Sequence, residues 1–346
     1  MAKKEFDIDY KELRHDKKKR ELDILIYGKD YNCELSNAIR RVMIKYLPTY
    51  AFVPSLMKIS QNTCKAYNND MIKQEFSHLP IMNLDCGEFW LDPMYCSGGV
   101  YSNVNRNKHP SEKMVEFYMN VENTADTSKY VTTKDAIVKV EGEIFNMYKQ
   151  ELFLMKLPRH SRLEIYMKGI MGINTMNGDY NVNWSGIRDA FHRRMYKEGS
   201  KYVEETEKDI EENREADGYA MLIWGKYQFD EYEALHRAGK NLYKQIEIIK
   251  QDIEQNKHIE KDNIEDIHVV INNLDIGIAL AINRELQDLQ EIRSAGVAQP
   301  DKLIESVLFK FSHTKKNIKD GMNLLIQAME KVQKKAVFIS KLFEKK

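Results

Sequence analysis

Apolar and polar residues alternate near the start of the chain. Phe6, Ile8 and Tyr10 sit between polar neighbours, and Leu22, Ile24 and Ile26 repeat the pattern. A period of two predicts half-buried strands at both places, with Tyr27–Asp30 as the turn that follows. The period then changes. Along Glu34–Tyr46, at 100° per residue, Leu35, Ala38, Ile39, Val42, Met43 and Tyr46 share one wide face, and Asn37, Arg40 and Arg41 the opposite one. Leu47-Pro48 ends this helix, and TYAFVPSLMKIS continues as a strand in which Pro54 marks an edge or a bulge. A short helix is expected within Met71–Met82.

Residues 85–160 are rich in Tyr, Asn and Gly and contain the β-like runs VEFYMNVEN, DAIVKVEGE and QELFLMKL. They read as an inserted β-rich lobe. Alternation in Leu163–Gly172 is taken as the return to the first domain. Lys197–Ala216 is acid-rich and reads as an exposed helix or linker, and Gly218–Tyr227 as a central strand. Tyr232, Leu235, Gly239, Leu242, Ile246, Ile249 and Ile253 then step by three and four, as do Ile318, Met322, Leu325, Met329, Val332, Ala336, Ile339 and Phe343. That spacing predicts two long helices, each with an apolar seam for another helix. Between them lie a polar connector at Lys250–Asp262, a strand at Ile264–Asn272, a helix at Asp275–Leu289 with Asp275 as N-cap, and a strand at Leu303–His313.

The order strand, helix, strand, long helix thus occurs twice, interrupted by the lobe the first time and compact the second. Two copies of one plan suggest a pseudo-symmetric pair. In such a pair equivalent helices pack on each other, so the helix at Asp275–Leu289 is the expected partner of the helix at Glu34–Tyr46.

Composition narrows the function classes. Among 346 residues, 53 Lys+Arg balance 53 Asp+Glu, so the formal net charge is zero. A general nucleic-acid binder is usually basic; zero net charge leaves room only for a local patch. Cys33, Cys64, Cys86 and Cys96 form no CxxC, and the expectation is reduced thiols with no metal or other cofactor. The charged start and the lack of any apolar run of ~20 residues point to an intracellular chain that makes no use of a membrane. Asp85, Asp92, Asp179 and Asp189 are scattered, and no phosphate loop ending in GK[ST] occurs. Catalysis by this chain alone is therefore not expected. His78, His160 and His192 read as structural, and Trp184 equally as core or interface anchor.

LSNAIRRVMIKYLPTYAF resembles the signature helix and following strand of RNA polymerase assembly subunits: the bacterial alpha subunit, archaeal D and the third-largest subunit of the eukaryotic enzyme. The family pattern Asn-Ala-Leu/Phe-Arg-Arg, then Val/Leu-Pro-Thr, stands here as Asn37-Ala38-Ile39-Arg40-Arg41 and Leu47-Pro48-Thr49. FSHLPIM (Phe76–Met82) and VNWSGI (Val182–Ile187) are similar to two further family segments, with Gly186 where the family has proline. Gly218–Tyr227 and the helix after it resemble the family's final strand and dimerisation helix. NNLDIGIALAINREL is similar to the motif Glu-Asp-His-Thr-Leu-Gly-Asn-Leu-Leu of the small partner subunit, archaeal L or the eleventh eukaryotic subunit. Gly277 is retained, while Asn273-Leu274-Asp275 replaces Asp-His-Thr and Ile278 replaces Asn.

The resemblance implies an α+β chain in which two alpha-like dimerisation units, each an antiparallel sheet plus helices, are fused, as in large nucleocytoplasmic DNA viruses. The units would be 1–84 with 161–255, the lobe 85–160, and the small unit 256–346. It implies a non-catalytic scaffold of a DNA-directed RNA polymerase. Asn37, Arg40 and Arg41 would meet the second-largest subunit. Ile39, Val42, Met43, Tyr46, Ile276, Ala279, Leu280, Leu242, Ile246, Ile249, Leu325, Met329 and Val332 would form the pseudo-dimer interface. Implied partners are two large catalytic subunits and a small zinc-binding subunit, without direct sequence-specific nucleic-acid contact and without homodimerisation. The virion and the infected cell would be the setting. Two other readings stand beside it: a free-standing enzyme using Cys86, Cys96 or His109 of the lobe, and a helical protein that homodimerises through its long helices.

Overall fold

The computed structural model describes residues 5–96, 107–175, 187–212, 214–225, 228–254, 259–261, 266–301, 306–315 and 317–344. The chain is α+β and divides into two compact units, one of 1–43, 190–223 and 231–346, the other of 44–189 and 224–230.

The first unit begins with the hairpin β1 (Asp9–Asp16) and β2 (Glu21–Tyr27). Helix α1 (Cys33–Lys45) follows, and its division point falls after Met43. In the second unit come β3 (Thr49–Phe52), a 3₁₀ turn at Pro54–Leu56, β4 (Lys58–Asn62), α2 (Asn69–Ser77) and the single turn α3 (Pro93–Cys96). The strands β5 (Val115–Asn123), β6 (Lys129–Thr132), β7 (Ala136–Val140), β8 (Glu143–Ile144), β9 (Phe153–Leu157) and β10 (Ser161–Gly172) complete it. Its larger sheet has the order β3-β10-β5-β7-β8 with β4 also on β10, and β6 and β9 form a separate ribbon.

β10 pairs with β5 over nine positions, from Ser161 against Asn123 to Gly169 against Val115. Leu163, Ile165 and Met167 thereby share a face with Phe117, Met119 and Val121, and all six are buried in one core. Leu163–Gly172 therefore belongs to the second unit. Alternation revealed a strand here, but not which sheet would receive it.

In the first unit β11 (Ile187–Glu198) and β12 (Lys201–Glu204) form a hairpin, followed by the short helix α4 (Glu207–Glu211) and β13 (Gly218–Gly225). Where an exposed helix or linker is expected over Lys197–Ala216, the described residues hold the end of the hairpin and a short capped helix. Thr206 and Asp209 form a capping box that starts α4 there. The sheet order is β1-β2-β13-β11-β12. Then come α5 (Glu231–Glu254), β14 (Ile259–Lys261), β15 (Asp266–Asn272), α6 (Ile276–Gln287), β16 (Ile292–Ala298), β17 (Ser306–His313) and α7 (Ile318–Leu342). These strands build a second sheet, β14-β15-β17-β16. β16, an edge strand that pairs with β17, is not among the strands the apolar pattern predicts.

α5 and α7 pack along each other. Leu242, Ile246, Leu325 and Met329 are fully buried, with Ile249 and Val332 nearly so. Gly239 permits a close crossing, because a Cβ there would lie 2.6 Å from the Ala336 carbonyl oxygen and 2.8 Å from Ser340 Cβ. Beside it the buried His236 Nδ1 lies 2.9 Å from the Ser340 carbonyl oxygen.

Candidate partner-binding face

Asn32 starts α1. Its Oδ1 accepts from the Leu35 backbone N–H at 2.9 Å, and its carbonyl from that of Ser36. Leu35, Ala38, Ile39, Val42 and Met43 are buried, while Asn37, Arg40 and Arg41 are half-buried. Tyr46, just beyond the helix, is buried in the second unit.

The two arginines differ in their surroundings. Arg40 donates to Asn37 Oδ1 from Nε at 3.2 Å and from Nη2 at 3.0 Å, and to the Ala190 carbonyl of β11 from Nη1 at 3.3 Å. Its guanidinium is held over the helix by one turn of α1 and the neighbouring strand. Arg41 makes a two-pronged contact with Asp275, from Nε to Oδ1 at 2.5 Å and from Nη2 to Oδ2 at 2.8 Å. Planar pairing of this kind is the strong form of the Arg–carboxylate contact.

Asp275 is also the N-cap of α6, as its place in the sequence predicts, accepting from the Gly277 N–H at 2.8 Å. The carboxylate is 1% exposed against 24% for the Arg41 side chain. Its charge is balanced by the guanidinium and by the helix start. A Cβ on Gly277 would fall 2.4 Å from Arg41 Cδ and 2.9 Å from its Nε. Glycine is what lets the arginine lie across the first turn of α6. Arg41 thus joins α1 to the start of α6 by a polar contact, which the apolar arithmetic of α1 did not contain.

Around Arg40 lies a cluster of titratable groups. His192 is half-buried and its Nδ1 has no hydrogen-bond partner among the described residues. Burial, then the Arg40 and Arg194 charges, depress its pKa. Burial raises the Cys33 thiol, with Glu34 adding to the rise and Arg194 opposing it. Burial likewise pushes Tyr219 up to about 12, helped by Cys33 and Glu34. A helix face carrying preset arginines beside a strand whose Phe191 is 48% exposed has the chemistry of a protein-binding surface.

On α6 Ala279 is buried and Ile276 half-buried. Leu280 departs from the interface expectation: it is 38% exposed. The apolar arc of α6 is wider than the surface its neighbours cover. Trp184 and nearly all of the VNWSGI segment lie outside the described residues. In the lobe Cys86 is buried with Sγ 3.1 Å from the Pro48 carbonyl oxygen, and His109 meets Tyr95 edge to face with ring centroids 4.8 Å apart. Among the described residues no group of three or more His, Cys, Asp or Glu is placed to hold a metal ion, and no helix is long and apolar enough to cross a membrane.

The chain is α+β, its first unit holds the α5–α7 helix pair, and α1 in that unit carries a polar face. No family model matches the chain. It is similar to a protein of Acanthamoeba polyphaga mimivirus named "Putative DNA directed RNA polymerase subunit", 23% identical over 332 residues that cover 90% of this chain and 86% of that protein.

Proposed function

We propose that the chain is a non-catalytic assembly subunit of a multisubunit DNA-directed RNA polymerase, combining the D-like and L-like subunits in one polypeptide. The observation that supports this reading is the similarity to the mimivirus protein along 90% of the chain. The packing of α5 on α7 fits a pseudo-dimer made in cis, so the isolated chain is monomeric. Asn37 and Arg40 present the polar face of α1 to the second-largest subunit, and Arg41 fixes that face to α6. The further partners are the largest subunit and a small zinc-binding subunit, in infected cells and virions.

Co-purification tests the reading. The tagged chain brings down two large polymerase subunits from infected cells, and Arg40→Glu releases the second-largest while leaving the chain folded. A stable chain that recovers neither subunit would end the proposal.

A further inference from the structure

The tip of the β1–β2 hairpin carries Asp16-Lys17-Lys18-Lys19-Arg20 in a chain whose net charge is zero. Lys17, Lys18 and Lys19 are exposed, and among the described residues their ammonium groups form no ion pair. The acidic side chains of the hairpin are engaged elsewhere. Glu21 pairs with Arg14 at 2.5 Å, Asp23 with Arg193 at 2.6 Å, and Glu12 accepts from the Tyr232 hydroxyl. Asp16 turns inward: its Oδ1 accepts from the backbone N–H of Lys18 at 3.0 Å and of Lys19 at 3.1 Å. Those bonds, the one from Lys19 foremost, hold its carboxyl below the usual range. A shallow concavity at the tip is lined by Arg14, His15, Asp16 and the three lysines. The result is a fixed turn that displays three exposed ammonium groups, with the Asp16 carboxylate near that of Lys19.

We infer that this turn is a sequence-independent docking point for the phosphate backbone of a nucleic acid. Magnitudes favour phosphate over a carboxylate-bearing protein. An exposed lysine gains only ~0.2–1 kcal/mol from a single carboxylate in screened solvent. A nucleic acid carries condensed counterions, and each phosphate neutralised by a lysine releases them, so exposed lysines act together. Lysine also suits this role as a point charge that needs no bidentate geometry. The inference goes beyond the assembly role and does not depend on it.

Fluorescence anisotropy of the full chain with a mixed-sequence DNA duplex and with a single-stranded RNA tests this. Three phosphate contacts give log K against log salt a slope of about −2.7 on duplex and about −2 on a single strand. Between about 50 and 200 mM salt that is roughly a 40-fold loss of duplex affinity and a roughly 20-fold loss on RNA. Lys17→Gln, Lys18→Gln and Lys19→Gln together should flatten the slope by those amounts without moving the melting temperature, and the triple Lys→Arg variant should keep it. Absence of binding at low salt, or an unchanged slope in the triple Gln variant, overturns the inference. So does poly-glutamate binding to the turn more tightly than either nucleic acid, which would make an acidic protein the occupant. No other polymerase chain enters the assay, so its failure is distinct from failure to co-purify large subunits.

Discussion

Removing Arg41 should cost far more than removing an ordinary half-exposed arginine. In Arg41→Ala the Asp275 carboxylate stays buried, at 1% exposure, with the Gly277 N–H at 2.8 Å still bonded to it and both guanidinium bonds gone. Breaking a buried pair from the cationic side costs ~3–5 kcal/mol. The reverse truncation is milder. Asp275→Ala removes a helix cap, ~1 kcal/mol, and two charge-assisted bonds, but Arg41, at 24% exposure, can turn toward water. About 2–3 kcal/mol is expected for that variant. The double variant should cost less than the two singles summed, with a coupling of ~1.5–3 kcal/mol.

Urea unfolding followed by far-UV circular dichroism reads this cycle, through the transition of the unit that contains both α1 and α6. Midpoints should shift at constant denaturant slope. A coupling below ~0.5 kcal/mol would refute the claim that the fork is a single interaction, as would an Arg41→Ala variant as stable as the parent. Arg40→Ala serves as control. Its bonds to the Asn37 side chain and the Ala190 carbonyl are to neutral groups, and their loss should cost ~0.5–1.5 kcal/mol. The two arginines read alike in sequence, yet only Arg40 can be reversed in charge without setting a carboxylate against buried Asp275.

Lys335→Met should destabilise by ~1.5–3 kcal/mol, because Glu285, buried at 3% exposure, loses the nearer of its two ammonium partners and keeps only Lys331 at 3.2 Å; Glu285→Leu in the same chain should recover most of that loss in urea midpoint. Gly239→Ala gains helix propensity but sets a Cβ 2.6 Å from the Ala336 carbonyl oxygen; a net loss of ~1–2 kcal/mol by thermal unfolding is expected. His192 has a depressed folded pKa, so the unfolded chain binds the extra proton first. Stability is therefore full above the ordinary value of 6.5 and falls as pH drops below it. Urea midpoints measured across that range should slope less in His192→Gln.

Periodicity carried most of the fold. The apolar face of α1 and the seams of α5 and α7 follow from apolar spacing, since a helix that must bury one stripe repeats it every three to four residues, and Leu47-Pro48 marks where α1 stops. What stayed hidden depends on partners remote in sequence. Arg41 and Asp275 are 234 residues apart, and helical arithmetic gives the angle of a side chain but not what meets it. Glu285 and Lys335 pair across 50 residues of sequence, and acidic or basic residues are rarely buried unless paired, so spacing gave no reason to single them out. On the polar side of α1, spacing separated Asn37, Arg40 and Arg41 from the apolar face but could not tell a solvent-facing guanidinium from an internal one. Along α6 the apolar run was visible, yet which part of a wide arc is covered is set by the neighbours, as Leu280 demonstrates.

The charged contacts of α6 supply what its apolar residues lack. A helix apolar around half its circumference can rotate about its axis and exchange one buried side chain for another with little change in buried area. Asp275 at its start is pinned to Arg41 of α1, and Glu285 near its end to Lys335 of α7 at 2.6 Å, with Lys331 3.2 Å away. Buried ion pairs often add little net stability, because desolvation offsets the attraction, but a rotated helix would leave both carboxylates buried and unpaired. At 100° per residue Leu280 lies about 140° from Asp275 and about 140° from Glu285. Two pins on one side of the helix therefore turn Leu280 to the other, where it is 38% exposed. Its exposure follows from the rotation that the two ion pairs impose.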